Sequence, residues 1–460
     1  MKIWGKSYFI PVLSIQFIER LAYTIVLIQL PIYLAQKDVE KGLAWGQEIK
    51  GWIFFAWALI QNTIPIFAGI VADRISQKKS LIFSLLNISI GYLLLLFAKS
   101  LPLFLIGIFF LGFGSGIFKP SLQGLISKTQ SEKYNIWAFY LFTTNLAFLL
   151  AGAISKALKD IDWSLLFLTS LILSLLNLLS VALTIKPNQI PNTTSIKFPI
   201  SHFVQELKQT LFKREIILII GFTSCFALIY MQFYETLPNF IYDWTNTSSI
   251  ARHLPELFTM KTSQGIQLSY EWIYNLNPIT IILFIILLAK LTSKFEAINS
   301  LLIGLILTTL GFSLAGTTRD GIILIVGVIV YTFGEMIFNM KILELISHIA
   351  PNGKKSSYFG ILNISYTFGL SLGALSGGYL YKDYAEKYAL AKRFLMENNN
   401  NTNSASINEF LNSSSTTDLL WNTFQPYLFW IPFILFGFFG LILIFRFKKY
   451  YQKKIVNNHS

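Results

Sequence analysis

Cysteine, histidine and charge are all scarce in this sequence. Its 460 residues include one cysteine and four histidines, and only 13% of them are charged. A single thiol, Cys225, excludes a disulfide framework and a cysteine-based metal site. The histidines are scattered and form no ligand cluster, so we expect neither a metal nor a cofactor. An enzyme needs a nucleophile–base or metal constellation, and because these residues do not supply one, we expect no enzyme.

Hydrophobic residues, by contrast, make up 54% of the chain. Soluble domains carry about 25% charged residues, well above the share found here. The apolar residues form runs of roughly 20, which is the length of helix that crosses a bilayer. The pattern predicts an all-α membrane protein with about twelve transmembrane helices. These spans are predicted at 8–34, 51–71, 81–98, 102–126, 137–157, 165–185, 216–243, 277–291, 299–316, 321–346, 358–381 and 427–447.

The basic residues are distributed unevenly between the loops that connect these spans. The net charge is +14, which in a soluble protein would suggest a nucleic-acid partner. Here residues such as Arg74, Lys78 and Lys128 lie in short loops on one side, whereas the opposite loops have mixed charge. Basic loops face the cytoplasm, so we predict a multi-pass protein with both termini cytoplasmic and no nucleic-acid partner. The expected location is the cell membrane, or the inner membrane in a Gram-negative bacterium.

A polar, proline-containing segment divides the predicted helices into two sets of six. This plan is that of the major facilitator fold, whose two halves rock around a site near the membrane midplane. The Asn- and Ser-rich segment 391–417 is expected to be a disordered external loop. The predicted parts are an N-terminal six-helix bundle at 1–188, a cytoplasmic linker at 189–214, and a C-terminal six-helix bundle at 215–460 with external loops at 244–275 and 382–424.

Four polar side chains share one face of the first predicted helix, among apolar neighbours. The i, i+3, i+4, i+7 spacing places on this face Gln16, Glu19, Arg20 and Tyr23. A charge deep in a bilayer is costly, so each charged residue here is a candidate functional residue. The structural alternative is an ion pair that only holds helices together.

Three further charged residues interrupt predicted spans. Lys119 ends a glycine-rich stretch just before Pro120, and its alternative role is to snorkel to the cytoplasmic interface. Glu335 has no lysine in the turn before it, so its partner comes from another helix or from a substrate. A carboxyl group in such a setting is a candidate for proton binding and release. A structural role is the alternative for Glu335, and for Glu235, nearer the external end, the two roles are equally supported.

Short motifs occur in a fixed order along the chain. They are Gln16-Phe-Ile-Glu19-Arg20-Leu-Ala-Tyr23 in the first predicted helix, Gly69-Ile-Val-Ala-Asp73-Arg74 after the second, Gly114-Ser-Gly-Ile-Phe-Lys119-Pro120 in the fourth, Phe139-Tyr140 with Asn145 in the fifth, Asn277-Pro278 in the eighth and Gly334-Glu335 in the tenth. Together these motifs resemble those of the proton-dependent oligopeptide transporter family of the major facilitator superfamily.

This resemblance implies a secondary transporter that takes up di- and tripeptides together with protons. It implies that Arg20 and Lys119 hold the peptide carboxylate, a role that suits cations in a pocket of low dielectric. Tyr23 belongs to the same implied substrate-binding site. Asn145 and Asn277 are implied to form hydrogen bonds with the peptide.

The same resemblance implies roles for the remaining charged residues of the motifs. Glu335 and Glu19 are the implied proton-coupling residues, whereas Glu235 is implied to meet either the peptide's amino end or a gating lysine. Asp73 and Arg74 are implied to belong to a cytoplasmic gate. The implied partners are a peptide-like small molecule, protons and the lipid bilayer.

One departure from the family's pattern bears on the mechanism. Gln16 stands where the family has a glutamate, and glutamine does not titrate. Leu21 and Thr24 also replace aromatic positions of the family. An alternative function is therefore transport of a non-peptide organic anion or zwitterion, with proton coupling altered or lost. A membrane-embedded enzyme or receptor is a third hypothesis, and the sequence offers it no catalytic constellation.

Overall fold

The computed structural model is almost entirely helical. The structure describes residues 9–37, 41–129, 136–185, 205, 209–262, 265–350, 355–398, 402–413 and 415–459. Its helices are α1 (Phe9–Ala35), α2 (Gln47–Ile75), α3 (Gln77–Phe97), α4 (Leu101–Thr129), α5 (Ile136–Ile161), α6 (Ser164–Thr184), α7 (Arg214–Glu235), α8 (Leu237–Trp244), α9 (Ser248–Ala251), α10 (Tyr270–Thr292), α11 (Ala297–Gly316), α12 (Gly321–Ile349), α13 (Lys355–Tyr384), α14 (Lys387–Glu397), α15 (Ser404–Asn412), α16 (Thr416–Phe424) and α17 (Ile431–His459). Strands β1 (Thr259–Thr262) and β2 (Gly265–Leu268) form an antiparallel hairpin before α10.

Within these described residues, eleven helices are long and apolar enough to cross a membrane. They correspond to all the predicted spans except 358–381, and they confirm the all-α membrane fold class. The exception coincides with α13, which is 30 residues long. Length is therefore sufficient in α13, but its glycine, serine and tyrosine residues dilute its apolar character.

The predicted span 216–243 is wrong as one continuous helix. The chain leaves α7 at Glu235 and begins α8 at Leu237, with Thr236 between them. Pro238 is in the first turn of α8. Proline has no backbone N–H and is favoured in a first helical turn, so this residue starts a new helix and does not continue the previous one.

The Asn- and Ser-rich segment 391–417 is also not disordered where it is described. It contributes to the short helices α14, α15 and α16. The side chain of Asn403 caps α15 by accepting a hydrogen bond from the Ser406 amide at 2.8 Å. The rings of Phe394 and Phe410 stack with centroids 5.5 Å apart, and Ile407 is buried. A few apolar residues on the inner helix faces therefore outweigh the polar composition.

The chain divides into two compact units. Unit 1 comprises Met1–Leu27, Ala56–Ile220 and Ile346–Ser371, and unit 2 comprises Ile28–Phe55, Gly221–Leu345 and Leu372–Ser460. Five helices therefore contribute residues to both units, namely α1, α2, α7, α12 and α13. The six-helix bundles at 1–188 and 215–460 stay a prediction, and most of the linker 189–214 lies outside the described residues.

Small residues allow the closest helix packing in unit 2. Helices α11 and α12 meet at glycines on both sides, so that their backbones nearly touch. A Cβ atom added at Gly311 would lie 2.6 Å from the Gly327 carbonyl oxygen and would also meet the backbone of Tyr331. Lipid tails are as apolar as leucine, so this close packing contributes to the association of membrane helices.

We therefore expect Gly311→Ala to destabilise the protein by about 1–3 kcal/mol, because backbone atoms of α12 have to move to admit the methyl group. The apparent melting temperature of the purified protein in detergent measures this effect. Gly124→Ala on α4 is the matched control, since its nearest neighbour is the Gln77 side chain at 3.5 Å, an ordinary contact. Equal melting temperatures for the two variants would contradict the expectation.

Candidate functional site

A buried ion pair lies in the middle of α1. The Arg20 guanidinium donates two hydrogen bonds to Glu19, from Nε to Oε2 at 2.5 Å and from Nη2 to Oε1 at 2.6 Å. Glu19 is 3% exposed and Arg20 is 15% exposed. The contact is bidentate, which is the strongest arrangement for this pair, and it neutralises Glu19 without help from another helix.

Aromatic and amide groups of α1 and α2 hold Arg20 in place. Its guanidinium carbon lies 4.6 Å from the centroid of the Tyr23 ring, a cation–π distance. The Tyr23 hydroxyl donates a hydrogen bond to Gln61 Oε1 at 3.2 Å, and its ring packs against Trp57 with centroids 5.2 Å apart. Tyr23 therefore belongs to the same polar group as Arg20, as its place on that helix face predicts.

Lys119 on α4 brings a second positive charge to this group. Its side chain is exposed, and Arg20 and Glu19 are the charged groups that act on it. In the part of the chain that the structure describes, its ammonium has no hydrogen bond or ion pair. We call Glu19, Arg20, Tyr23 and Lys119 the cationic cluster. The cluster carries two positive charges and one negative charge, so its net charge is +1.

The helix α5 contributes polar residues next to Gln16 and Arg20 of α1. Buried Gln16 donates a hydrogen bond from Nε2 to the Thr144 hydroxyl at 3.1 Å, so this neutral side chain has a partner on another helix. Tyr140 lies within electrostatic range of Arg20, and its hydroxyl is approached by Gln16 and Gln123. Sequence reasoning noted Tyr140 in a motif but assigned it no role, and it missed Gln61 and Gln123.

Asn145, a predicted substrate-binding residue, lies on the same helix α5. Its side-chain Nδ2 donates to the Leu141 carbonyl of its own helix at 2.9 Å, and the residue is buried. The Asn145 amide therefore has a hydrogen-bond acceptor within its own helix. Substrate binding by Asn145 stays a prediction.

In unit 2, Glu335 on α12 meets Asn277 on α10. Asn277 Nδ2 donates to Glu335 Oε2 at 2.7 Å and contacts the Thr332 hydroxyl at 3.1 Å. Both Glu335 and Asn277 are buried. Among the described residues no cation lies within ion-pair distance of Glu335. Its partner in the protein thus comes from another helix, as the sequence predicts, and that partner is neutral.

A second buried ion pair joins α2 to α7. Lys50 Nζ lies 2.9 Å from Glu235 Oε1, and both side chains are 0% exposed. Lys50 also donates to the Glu235 backbone carbonyl at 2.9 Å and to Asn239 Oδ1 at 3.0 Å. Of the two partners implied for Glu235, this geometry supplies the lysine, and the carboxylate is enclosed beside it. Contact with a peptide's amino end stays a prediction.

The sequence analysis missed Lys50 because it began the second span at residue 51. The helix α2 begins at Gln47, so Lys50 is within its first turn. Asp243 was likewise read as a span end, yet it is buried. It accepts hydrogen bonds from the Tyr381 hydroxyl at 2.8 Å and from Gln36 Nε2 at 3.0 Å. Charged residues within one turn of an apolar run are the signal that would have found both.

The predicted gating residues Asp73 and Arg74 lie in the last turns of α2. Their side chains are outside the described residues, so the cytoplasmic gate stays a prediction.

The family model described as Major Facilitator Superfamily matches residues 12–374. The uncharacterized MFS-type transporter YttB of Bacillus subtilis (strain 168) is 23% identical over 69% of this chain and 75% of its own. The Na(+), Li(+), K(+)/H(+) antiporter of Planococcus maritimus is 22% identical over 82% of this chain and 90% of its own.

Among solved structures, the POT family transporter PepTSo superposes with a TM-score of 0.73 at 15% identity. The match covers 98% of this chain and 99% of that one. At this level of identity the likeness shows a shared fold.

The Lys50–Glu235 pair leads to a test by a double-mutant cycle. We expect Lys50→Met or Glu235→Gln alone to destabilise the protein by about 3–5 kcal/mol, because removing one partner changes a fully buried pair into an unmatched polar group. The double variant Lys50→Met/Glu235→Gln should recover much of this loss. The cycle is measured by the melting temperatures in detergent of the wild-type protein, the two single variants and the double variant. Additive losses in the double variant would show that the two side chains do not interact.

Proposed function

This chain belongs to the Major Facilitator Superfamily and is a multi-pass secondary transporter, and we propose that it takes up di- and tripeptides together with protons. The observation that carries the proposal is the cationic cluster, in which Lys119 interacts electrostatically with a bidentate Glu19–Arg20 pair. Location in the cell membrane with both termini in the cytoplasm is part of the same proposal, on the evidence of the basic loops.

The charge of the cluster suits a substrate that carries one carboxylate. Its net charge of +1 becomes zero when a carboxylate binds, and hydrogen bonds between charged groups are stronger than those between neutral ones. Lys119 offers an ammonium without a partner among the described residues. Arg20 uses Nε and Nη2 for Glu19, which leaves Nη1 for a second anion. The peptide carboxylate would therefore lie between Lys119 and the outer edge of Arg20.

Glu335 is the residue that we propose to carry the proton. Its one hydrogen bond from the described residues comes from Asn277, and an amide can donate to a carboxylate or, after a small rearrangement, accept from a carboxylic acid. Both protonation states are thus accommodated. Glu19 is a weaker candidate, because a proton on it would break its bidentate contact with Arg20.

Lys50 is the residue that we propose as the gating lysine for Glu235. The pair joins two different helices, and it is fully enclosed in this structure. Separating Lys50 from Glu235 requires water to reach both charges, because neither is stable alone in an apolar environment. The two side chains would therefore separate only when the surrounding helices also move and admit water, which is the behaviour required of a gate.

A second candidate function is transport of a non-peptide organic anion or zwitterion. Gln16 favours it, because this neutral side chain is bound to Thr144 at the position where the resembling family has a titratable glutamate. The cationic cluster would hold such an anion by the same contacts. The two candidates differ in whether a peptide bond and a proton gradient are needed.

The first test concerns the carboxylate. We expect Arg20→Lys and Lys119→Gln each to weaken binding of alanyl-alanine at least about tenfold, because hydrogen bonds to charged groups contribute about 1.5–3 kcal/mol. Arg20→Lys keeps the charge but loses the planar guanidinium that makes the bidentate contact with Glu19. Isothermal titration on purified protein measures the affinity. Lys156→Gln is the matched control, since Lys156 pairs with Asp160 one turn along α5 at 3.0 Å.

The same titration with alanyl-alanine amide, which lacks the carboxylate, should show no binding to the wild-type protein. Wild-type affinity in both Arg20→Lys and Lys119→Gln would remove the cluster as the binding site. Binding of simple organic anions without binding of alanyl-alanine would instead favour the second candidate function.

The second test concerns the proton. We expect Glu335→Gln to abolish peptide accumulation driven by a pH gradient in proteoliposomes, while exchange of peptide between equal concentrations continues. The reason is that glutamine keeps the hydrogen bond to Asn277 but binds no proton. Glu344→Gln on the same helix is the control, because Glu344 is 41% exposed and pairs with Lys341. Accumulation by Glu335→Gln along a pH gradient would exclude Glu335 as the coupling residue.

A further inference from the structure

A groove of about 450 Å³ lies between α2, α3 and α4 of unit 1, apart from the cationic cluster. Its walls are formed by apolar side chains, among them Phe67, Phe83, Phe113 and Ile117, and Lys79 lies in its lining. The volume is within the range of about 300–1,000 Å³ that is usual for small-molecule sites. The groove is therefore large enough to hold a ligand.

Two glycines of α4 explain why a groove forms here. A Cβ atom added at Gly116 would lie 2.7 Å from Ile64 Cβ on α2, and one at Gly114 would lie 2.8 Å from the Ser84 carbonyl oxygen on α3. Both neighbouring helices thus approach the α4 backbone closely. The bulky side chains on either side of these contacts form the sides of the groove.

Aromatic rings make one of these walls rigid. Phe83 and Phe113 meet edge to face with centroids 6.2 Å apart, and Phe113 stacks on Phe109 at 5.8 Å. Phe67 and Phe83 are nevertheless 41% and 52% exposed. Exposed apolar rings of this kind, on helices long enough to cross a membrane, suit an acyl chain. Because lipid tails are as apolar as leucine, apolar walls alone select no particular lipid.

A charged residue beside the groove provides a basis for selecting one class of lipid. Lys79 is in the first turn of α3, its side chain is exposed, and within the described part of the chain no carboxylate lies at ion-pair distance from it. Neighbouring Lys78 differs, since its ammonium donates to the Ala182 carbonyl at 2.7 Å. The first turn of a helix also carries a partial positive charge that favours anions. Of the two lysines, Lys79 is the one in the groove lining, so it is the one placed to meet a negative group there.

The geometry points to a binding site for an anionic phospholipid, with one acyl chain in the groove and a headgroup of net negative charge beside Lys79. Basic residues beside membrane helices on the cytoplasmic side are suited to anionic headgroups, and the basic loops predict that side for Lys79. The site would retain one lipid from the surrounding bilayer.

Native mass spectrometry of the full chain in detergent tests this site, with phosphatidylglycerol and phosphatidylcholine of identical acyl chains as probes. We expect the wild-type protein to retain phosphatidylglycerol about fivefold more tightly, since one lysine near an anionic headgroup contributes about that factor. Lys79→Gln should remove this preference. Lys290→Gln, which alters an exposed lysine on α10, should keep it.

A groove-filling variant tests the acyl chain separately. Ile117→Trp should weaken retention of both lipids, and its melting temperature without added lipid shows whether the fold is intact. Equal retention of the two lipids by the wild-type protein, or an unchanged preference in Lys79→Gln, would overturn the proposal whatever the fate of Ile117→Trp. Loss of preference in Lys79→Gln with full retention by a folded Ile117→Trp would show a headgroup contact without the groove, and would overturn it too.

Discussion

The absence of water from the hydrocarbon core is the constraint on which the polar structure of this protein depends. A charged side chain in that core needs a partner supplied by the protein itself, because no water is there to solvate it. The chain meets this need in three ways. Glu19 is neutralised by Arg20 in its own helix, Glu235 by Lys50 of another helix, and Glu335 receives only a neutral amide. The degree of compensation decreases in that order.

The proposed function rests on the groups whose charge this compensation leaves incomplete. Lys119 has no partner among the described residues, and Glu335 has one that bears no charge. In that proposal Lys119 binds an anion and Glu335 binds a proton, which are the two species that a proton-coupled carrier of carboxylates must bind. A transporter site of this kind needs no catalytic constellation, because its chemistry consists of reversible charge neutralisation.

Sequence alone predicted the helical core well, because the length of an apolar run is set by the thickness of the bilayer. It failed at helix ends. The helix α10 begins at Tyr270, not at residue 277, since Glu271 in its first turn is buried near Gln29 of α1. A local pattern cannot reveal such a distant partner. The same reason explains why Lys50 was missed, whereas Glu19 and Arg20, whose contact is local, were recognised together.

The location of Glu19 and Arg20 on consecutive residues of α1 has an electrical consequence. The proposed gating movement would separate Lys50 from Glu235 but would leave the Glu19–Arg20 contact intact, since both residues belong to one helix. A membrane voltage does work only on net charge that moves through its field. This pair is neutral as a unit and adds almost nothing to that work. In the proposed transport cycle, the net charge of the cationic cluster that responds to voltage would therefore be that of Lys119, and a bound carboxylate would reduce it to about zero.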